Sequence, residues 1–177
     1  MTRITDAFKK QGKLFIPFIT AGDPDLDTTE KLIYAMEEAG AGSLRSASPS
    51  PIPLPKAGDP GSGHPALAAG TRIKDIFAML ARVREKTRIP MVFLTYVNPI
   101  FTYGREKFFQ QCRDVKIDGV IVRTCPMKKR TPCSGSGKYG VEIISMIAPT
   151  SHPADPDDCQ RSPRGIFSLV SSPGGHR

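Results

Sequence analysis

Apolar positions along the chain fall into two alternating patterns, short continuous runs and stripes spaced three and four apart. Phe15-Ile16-Pro17-Phe18-Ile19-Thr20 is a run that ends in the turn Ala21-Gly22-Asp23-Pro24, which predicts a buried strand feeding a helix. Asp27 and Glu30 stand ahead of Leu32, Ile33 and Met36, so Asp27 is expected to cap the helix while Glu30 reaches back to its N-terminus. Gly40 then stops it. Upstream, Ile4, Ala7 and Phe8 keep helical spacing within Ile4 to Lys13 and predict a short helix plugging one end of a sheet. Ile73, Ile76, Phe77, Leu80 and Val83 form a second helical face that ends near Thr87, and Phe108, Phe109 and Cys112 form another within Arg105 to Val115. Between and after these lie Pro90 to Tyr96, Asp118 to Val122 and Val141 to Ile147, each read as a buried strand, and Gly165 to Ser171 is more weakly strand-like. Strand and helix alternate, which implies a parallel sheet covered by helices.

The alternation fails in three patches. Residues 42–65 carry six prolines and hardly a β-former where a second strand is due, and proline cannot donate to a ladder. The second strand is therefore expected to be lost. Residues 123–137 lose the helical period where a helix should stand, and residues 152–177 turn to Pro, Asp, Ser and Gly. Twelve of the seventeen prolines lie in these patches, so all three are expected to be irregular parts of one domain spanning residues 1–177.

Composition narrows the function. With 39% hydrophobic and 24% charged residues the chain is of ordinary globular type. The formal net charge of +8 raises a nucleic-acid partner, but Lys128-Lys129-Arg130 has no neighbouring aromatic residue for a base to stack on and continues no basic helix face. Solvated surface is the expectation, with no nucleic acid bound. Cys112, Cys125, Cys133 and Cys159, with His64, His152 and His176, are too scattered for a zinc site. No apolar run approaches a membrane span, and the N-terminus lacks a signal-peptide core. A cytoplasmic protein with free thiols, no metal and no membrane attachment is expected.

Four motifs in order, FIPFITAGDP, then Leu94-Thr95-Tyr96-Val97-Asn98-Pro99, Asp118-Gly119-Val120-Ile121-Val122 and Ile147-Ala148-Pro149-Thr150-Ser151, resemble the bacterial tryptophan synthase α subunit. Residues 1–41, 66–122 and 138–151 carry the likeness. It implies an α/β fold of the (β/α)8 TIM-barrel type. A whole barrel typically takes roughly 250 residues, so 177 residues are expected to hold about the first five or six units, with the seventh and eighth absent. The resemblance further implies retro-aldol cleavage of indole-3-glycerol phosphate to indole and glyceraldehyde 3-phosphate by general acid and base groups, with no cofactor. The family's partner is a β subunit that carries pyridoxal phosphate. Phe18, Leu94 and Tyr96 match residues lining the family's indole pocket, Asp23 a loop-supporting residue, and Asn98-Pro99 part of the surface that docks the β subunit. By residue type alone, Phe18 and Leu94 read as core, and Asp23 and Asn98-Pro99 as turns.

The family's two carboxylates, a Glu on strand two and an Asp in the following loop, fall by position at about Arg45 and Lys56. Arg does not act as a base near neutral pH. Each patch can also be back-translated so that another reading frame yields a family motif. Codons TCG GCA TCC CCT TCT CCG ATC CCC TTG CCG for Ser46 to Pro55, read from the last base of an Arg45 codon CGA, give Ile-Gly-Ile-Pro-Phe-Ser-Asp-Pro-Leu-Ala. Arg123 to Pro126 similarly yields Pro-Asp-Leu-Pro, and Pro173 to Arg177 yields Gly-Val-Thr-Gly. The expectation is an α-type lyase, truncated, frame-shifted in three patches and inactive as it stands. The alternative is a non-catalytic module that docks on the β subunit.

Overall fold

The computed structural model describes residues 3–47, 71–122, 136–147 and 166–169. Helix α1 (Arg3–Gln11) precedes strand β1 (Phe18–Thr20), helix α2 (Leu26–Glu38) and strand β2 (Leu44–Ala47). Helix α3 (Ile73–Lys86) leads to β3 (Met91–Thr95), followed by α4 (Val97–Tyr103), α5 (Arg105–Asp114) and β4 (Gly119–Val122). A 3-10 turn at Ser136–Tyr139, β5 (Glu142–Ile143), β6 (Ser145–Ile147) and β7 (Phe167–Leu169) complete the described elements. Strands β1 to β5 form one sheet in chain order, and every pairing is parallel. β6 and β7 pair separately, also in parallel.

Register explains how one sheet serves two cores. Phe18, Arg45, Val92, Gly119 and Glu142 align across β1 to β5, and Thr20, Ala47, Leu94 and Ile121 align across β1 to β4 one layer further along. Side chains alternate across a strand, so the residues between these layers point to the opposite face. There Ile19, Leu44, Met91, Phe93 and Val120 pack against Ile33, Ile76, Phe77, Leu80, Phe108 and Phe109 of the helices. Phe77 stacks on Phe93 with centroids 5.8 Å apart, and Phe108 meets both rings edge-on. The inner face holds a smaller core in which Val92, Ile121 and Ile144 close on Ile4 and Phe8, so α1 plugs the sheet as its apolar spacing predicts.

The expectation that the second strand is lost is corrected. β2 lies between β1 and β3, with Arg45 N–H donating to Pro17 O and Leu44 N–H to Pro90 O, both at 2.9 Å. A central parallel strand is held by backbone groups on both sides, and it needs only side chains that fit the two cores. Leu44 supplies the outer core and small Ser43 and Ser46 are buried beside it. The prolines begin only at Pro49, so the ladder is finished before they interrupt it. The rest of that patch, residues 48–65, lies outside the described residues, as do 66–70, 123–135 and most of 152–177.

Two local expectations also change. Asp25, not Asp27, caps α2, its carboxylate accepting from Thr28 N–H at 2.6 Å and Thr28 Oγ1 at 3.0 Å. Glu30 turns sideways to accept from Tyr34 and Arg82, because the charged partner on α3 outcompetes its own helix terminus. Val141 to Ile147 is not one strand: β5 ends at Ile143, Ile144 N–H still reaches Val120 O at 2.9 Å, and β6 then leaves to pair with β7.

Candidate functional site

The C-terminal ends of parallel strands are where an α/β barrel gathers its chemistry. Three positions singled out from the sequence share the inner face: Phe18, which opens β1, Arg45 on β2 and, one layer nearer the C-terminal ends, Leu94 on β3. Phe18 stands at the β1 edge with 54% of its surface exposed, while Leu94 packs half-buried against the inner core. Tyr96 follows β3 as the residue preceding α4 and is half-buried. Asp23 lies in the turn after β1, its N–H donating to Thr20 O at 3.3 Å. That turn depends on Gly22, whose φ of +85° favours glycine and whose N–H donates to Thr29 Oγ1 at 3.0 Å. Asn98 is exposed and Pro99 buried in the first turn of α4. Lys56 lies outside the described residues.

Arg45 dominates the electrostatics of this face. Its Nη2 donates to Ser168 Oγ at 2.8 Å, and burial pulls its guanidinium pKa below the ordinary value. It remains a cation at neutral pH, so it cannot take up a proton. Glu142 is buried at the far side of the same inner layer, beyond Val92 and Gly119. Among the described residues no group of three His, Cys, Asp or Glu could hold a metal ion, and no helix is long and apolar enough to cross a membrane.

Ser168 and Glu142 were not singled out in the sequence. Alternation in Val141-Glu142-Ile143-Ile144 carried a signal for Glu142, since it shares parity with inward Ile144. Ser168 had none, because its partner is 123 positions away.

Directly before β4, one residue below the layer that holds Arg45, Asp118 forms a second polar cluster. Its carboxylate accepts from Arg3 Nε at 2.7 Å, Arg3 Nη2 at 3.0 Å and Met91 N–H at 2.9 Å. Arg84 lies 4.0 Å away and donates to Ile89 O and Lys116 O. Burial lowers the Arg84 pKa to about 10, so it stays charged at neutral pH. This cluster ties α1 and α3 to the N-terminal ends of β3 and β4.

Parallel strands in chain order with helices on the outer face define a β/α barrel arc. Comparison with known proteins makes this specific. A profile of the tryptophan synthase alpha chain matches residues 4–175. The curated tryptophan synthase alpha chain of Caldanaerobacter subterraneus subsp. tengcongensis is 43% identical over 151 residues, which are 82% of this chain and 57% of that one. The chain of the same description from Lacticaseibacillus casei is 36% identical over 98% of this chain and 65% of its own. The crystal structure of the Legionella pneumophila str. Paris alpha subunit matches with a TM-score of 0.85 and 28% identity, covering 97% of this chain and 68% of that one. The tryptophan synthase complex of Pyrococcus furiosus matches with a TM-score of 0.71 and 26% identity over 80% of this chain and 59% of that one. The chain belongs to the tryptophan synthase alpha chain family. It spans about three fifths of the length of the curated relatives it matches.

Proposed function

We propose that this chain derives from an α-type lyase that cleaves indole-3-glycerol phosphate to indole and glyceraldehyde 3-phosphate, and that as it stands it does not catalyse the reaction. Family membership supports the first half. The second rests on one observation: Arg45, a cation, points inward from β2 where the family's resemblance calls for a carboxylate. Retro-aldol cleavage needs a group that takes the glycerol hydroxyl proton and one that delivers a proton to indole C3. A guanidinium does neither near neutral pH. Phe18, Leu94 and Tyr96 retain the apolar walls of an indole pocket, so a planar ring has a place to lie while the proton carriers are missing. Incubating the purified chain with indole-3-glycerol phosphate and following indole release tests this: no release above a heat-treated control is expected, and saturable release overturns it.

A second reading is a non-catalytic module that docks on a pyridoxal-phosphate β subunit. Exposed Asn98, with Phe101 one turn further along α4 and 58% exposed, favours it. Retention of the chain on immobilised β subunit, weakened by F101A, is the expected outcome. We also propose that the three patches are shifted reading frames; coding DNA that cannot be read as family motifs at two or more of them ends that idea.

A further inference from the structure

We propose that the open edge of β1 is a self-docking surface, on which a second copy of this chain lays its own β1 in antiparallel register across a two-fold axis at Pro17. The inference stands on β1 and does not depend on the lyase reading. β1 stands at one end of the five-stranded sheet, and among the described residues its ladder runs to β2 alone. Phe15 O accepts from Gly42 N–H, Pro17 O accepts from Arg45 N–H, and Ala21 N–H donates to Ala47 O. In an extended chain each residue turns its N–H and C=O to one side and the next residue turns them to the other, so Ile16 and Phe18 direct theirs to the open side. Thr20 faces the same way, but its O is already taken by Asp23 N–H at 3.3 Å.

The side chains mark the same edge. Phe15 is 69%, Ile16 38% and Phe18 54% exposed, and no charged residue stands between Lys13 and Asp23. Single edge strands are protected by charges or by prolines that remove outward donors; Pro17 lacks its N–H on the β2 side, where the loss leaves the open edge intact. A second copy fits because the edge complements itself. With the axis at Pro17, Ile16 of one copy opposes Phe18 of the other, twice, and each pair exchanges two backbone hydrogen bonds. Each pair also sets a β-branched side chain against an aromatic ring, a favourable cross-strand combination. Antiparallel pairing brings the Lys13 end of one copy toward the Asp23 end of the other, whereas a parallel partner would set like charges side by side. Taking roughly 200 Å² for an aromatic side chain, Phe15, Ile16 and Phe18 offer about 300 Å² per copy, against about 800 Å² for a standard interface. The dimer is therefore weak and concentration-dependent.

Sedimentation velocity of the full chain, from about 1 μM to about 1 mM, tests the surface. A reversible monomer–dimer equilibrium with a dissociation constant on the order of 10–100 μM is expected. I16E, which sets a carboxylate against the partner's ring, should weaken the dimer about tenfold or more, and so should F18K. Mixing I16E with F18K should restore it, since only the mixed dimer sets the introduced carboxylate against the introduced amine. L169K, on the exposed part of β7, should leave association unchanged. If I16E does not fold, judged by near-ultraviolet circular dichroism, F18K against L169K decides. A chain that stays monomeric throughout, association unchanged in I16E and F18K, or a mixture of the two folded variants that does not associate overturns the proposal. So does association lost in L169K, which would place the contact between β1 of one copy and β7 of the next in an open head-to-tail series.

Discussion

Removing the Asp118 carboxylate should destabilise the fold far more than removing its closest cationic partner. Asp118 is buried and satisfies three donors, two on Arg3 and the backbone N–H of Met91, while Arg84 stands nearby with its own side chain buried. In D118A the Met91 N–H loses its acceptor and Arg84 loses its compensating charge, a loss of about 3–5 kcal/mol for a broken buried pair. Arg3 is 37% exposed, so water re-solvates the vacated positions in R3A and the cost should be about 1 kcal/mol. D118N keeps the shape and one acceptor oxygen and should fall between the two. Urea unfolding followed by far-ultraviolet circular dichroism gives the comparison, provided the slope with denaturant is the same for all variants. A native stability of about 5–15 kcal/mol means D118A could consume much of it, in which case D118N against R3A carries the test. Equal midpoints for R3A, D118N and D118A would refute the reasoning, because they would show that Asp118 is neither buried nor shared.

Other expectations are smaller but equally specific. Ser46 Oγ is buried with no hydrogen-bond partner among the described residues, so S46A should raise stability by up to about 1 kcal/mol in the same unfolding assay. A Cβ on Gly119 would come within 2.7 Å of Ile144 Cδ1; G119A should therefore cost about 1–3 kcal/mol, and most of that should vanish in the double variant with I144A. Hydrogen bonds from Thr28, backbone first and side chain second, hold the Asp25 carboxyl below its ordinary value of 3.8. A lowered folded pKa gives stability that is present above the unfolded value and lost as pH falls through the folded one. The unfolding midpoints of native and D25A chains should accordingly differ at neutral pH and converge in acid below that value.

The hydrophobic periods foretold much of this arrangement and failed where contacts rather than periods decide. Helix α5, with Phe108, Phe109 and Cys112 buried, and strand β3, buried along nearly its whole length, follow their apolar patterns because α5 faces the larger core and β3 is covered by a core on each face. β2 was hidden because its four residues are read together with the prolines that follow, although a strand between two neighbours can be formed by weak β-formers. The cap of α2 fell to Asp25 instead of Asp27 because cap choice depends on where the turn after Pro24 releases the chain, which no spacing rule specifies. At the candidate site Phe18, Arg45 and Leu94 were singled out through resemblance alone, and the inward parity of Arg45 was not legible because its strand was expected to be lost. The Arg45–Ser168 contact and the Arg3–Asp118–Arg84 cluster were not legible either, since both join residues separated by most of the chain.

The most direct test of the central claim, that a cation occupies the inner-face position where the family's acid would stand, is indole release measured for the native chain beside the charge-reversing variant R45E/K56D. The account predicts no release by the native chain at any substrate concentration, with any release confined to the variant in which both carboxylates are returned. Saturable release by the native chain, undiminished in R45Q, would contradict it, since proton transfer would then be carried by groups other than those assigned here.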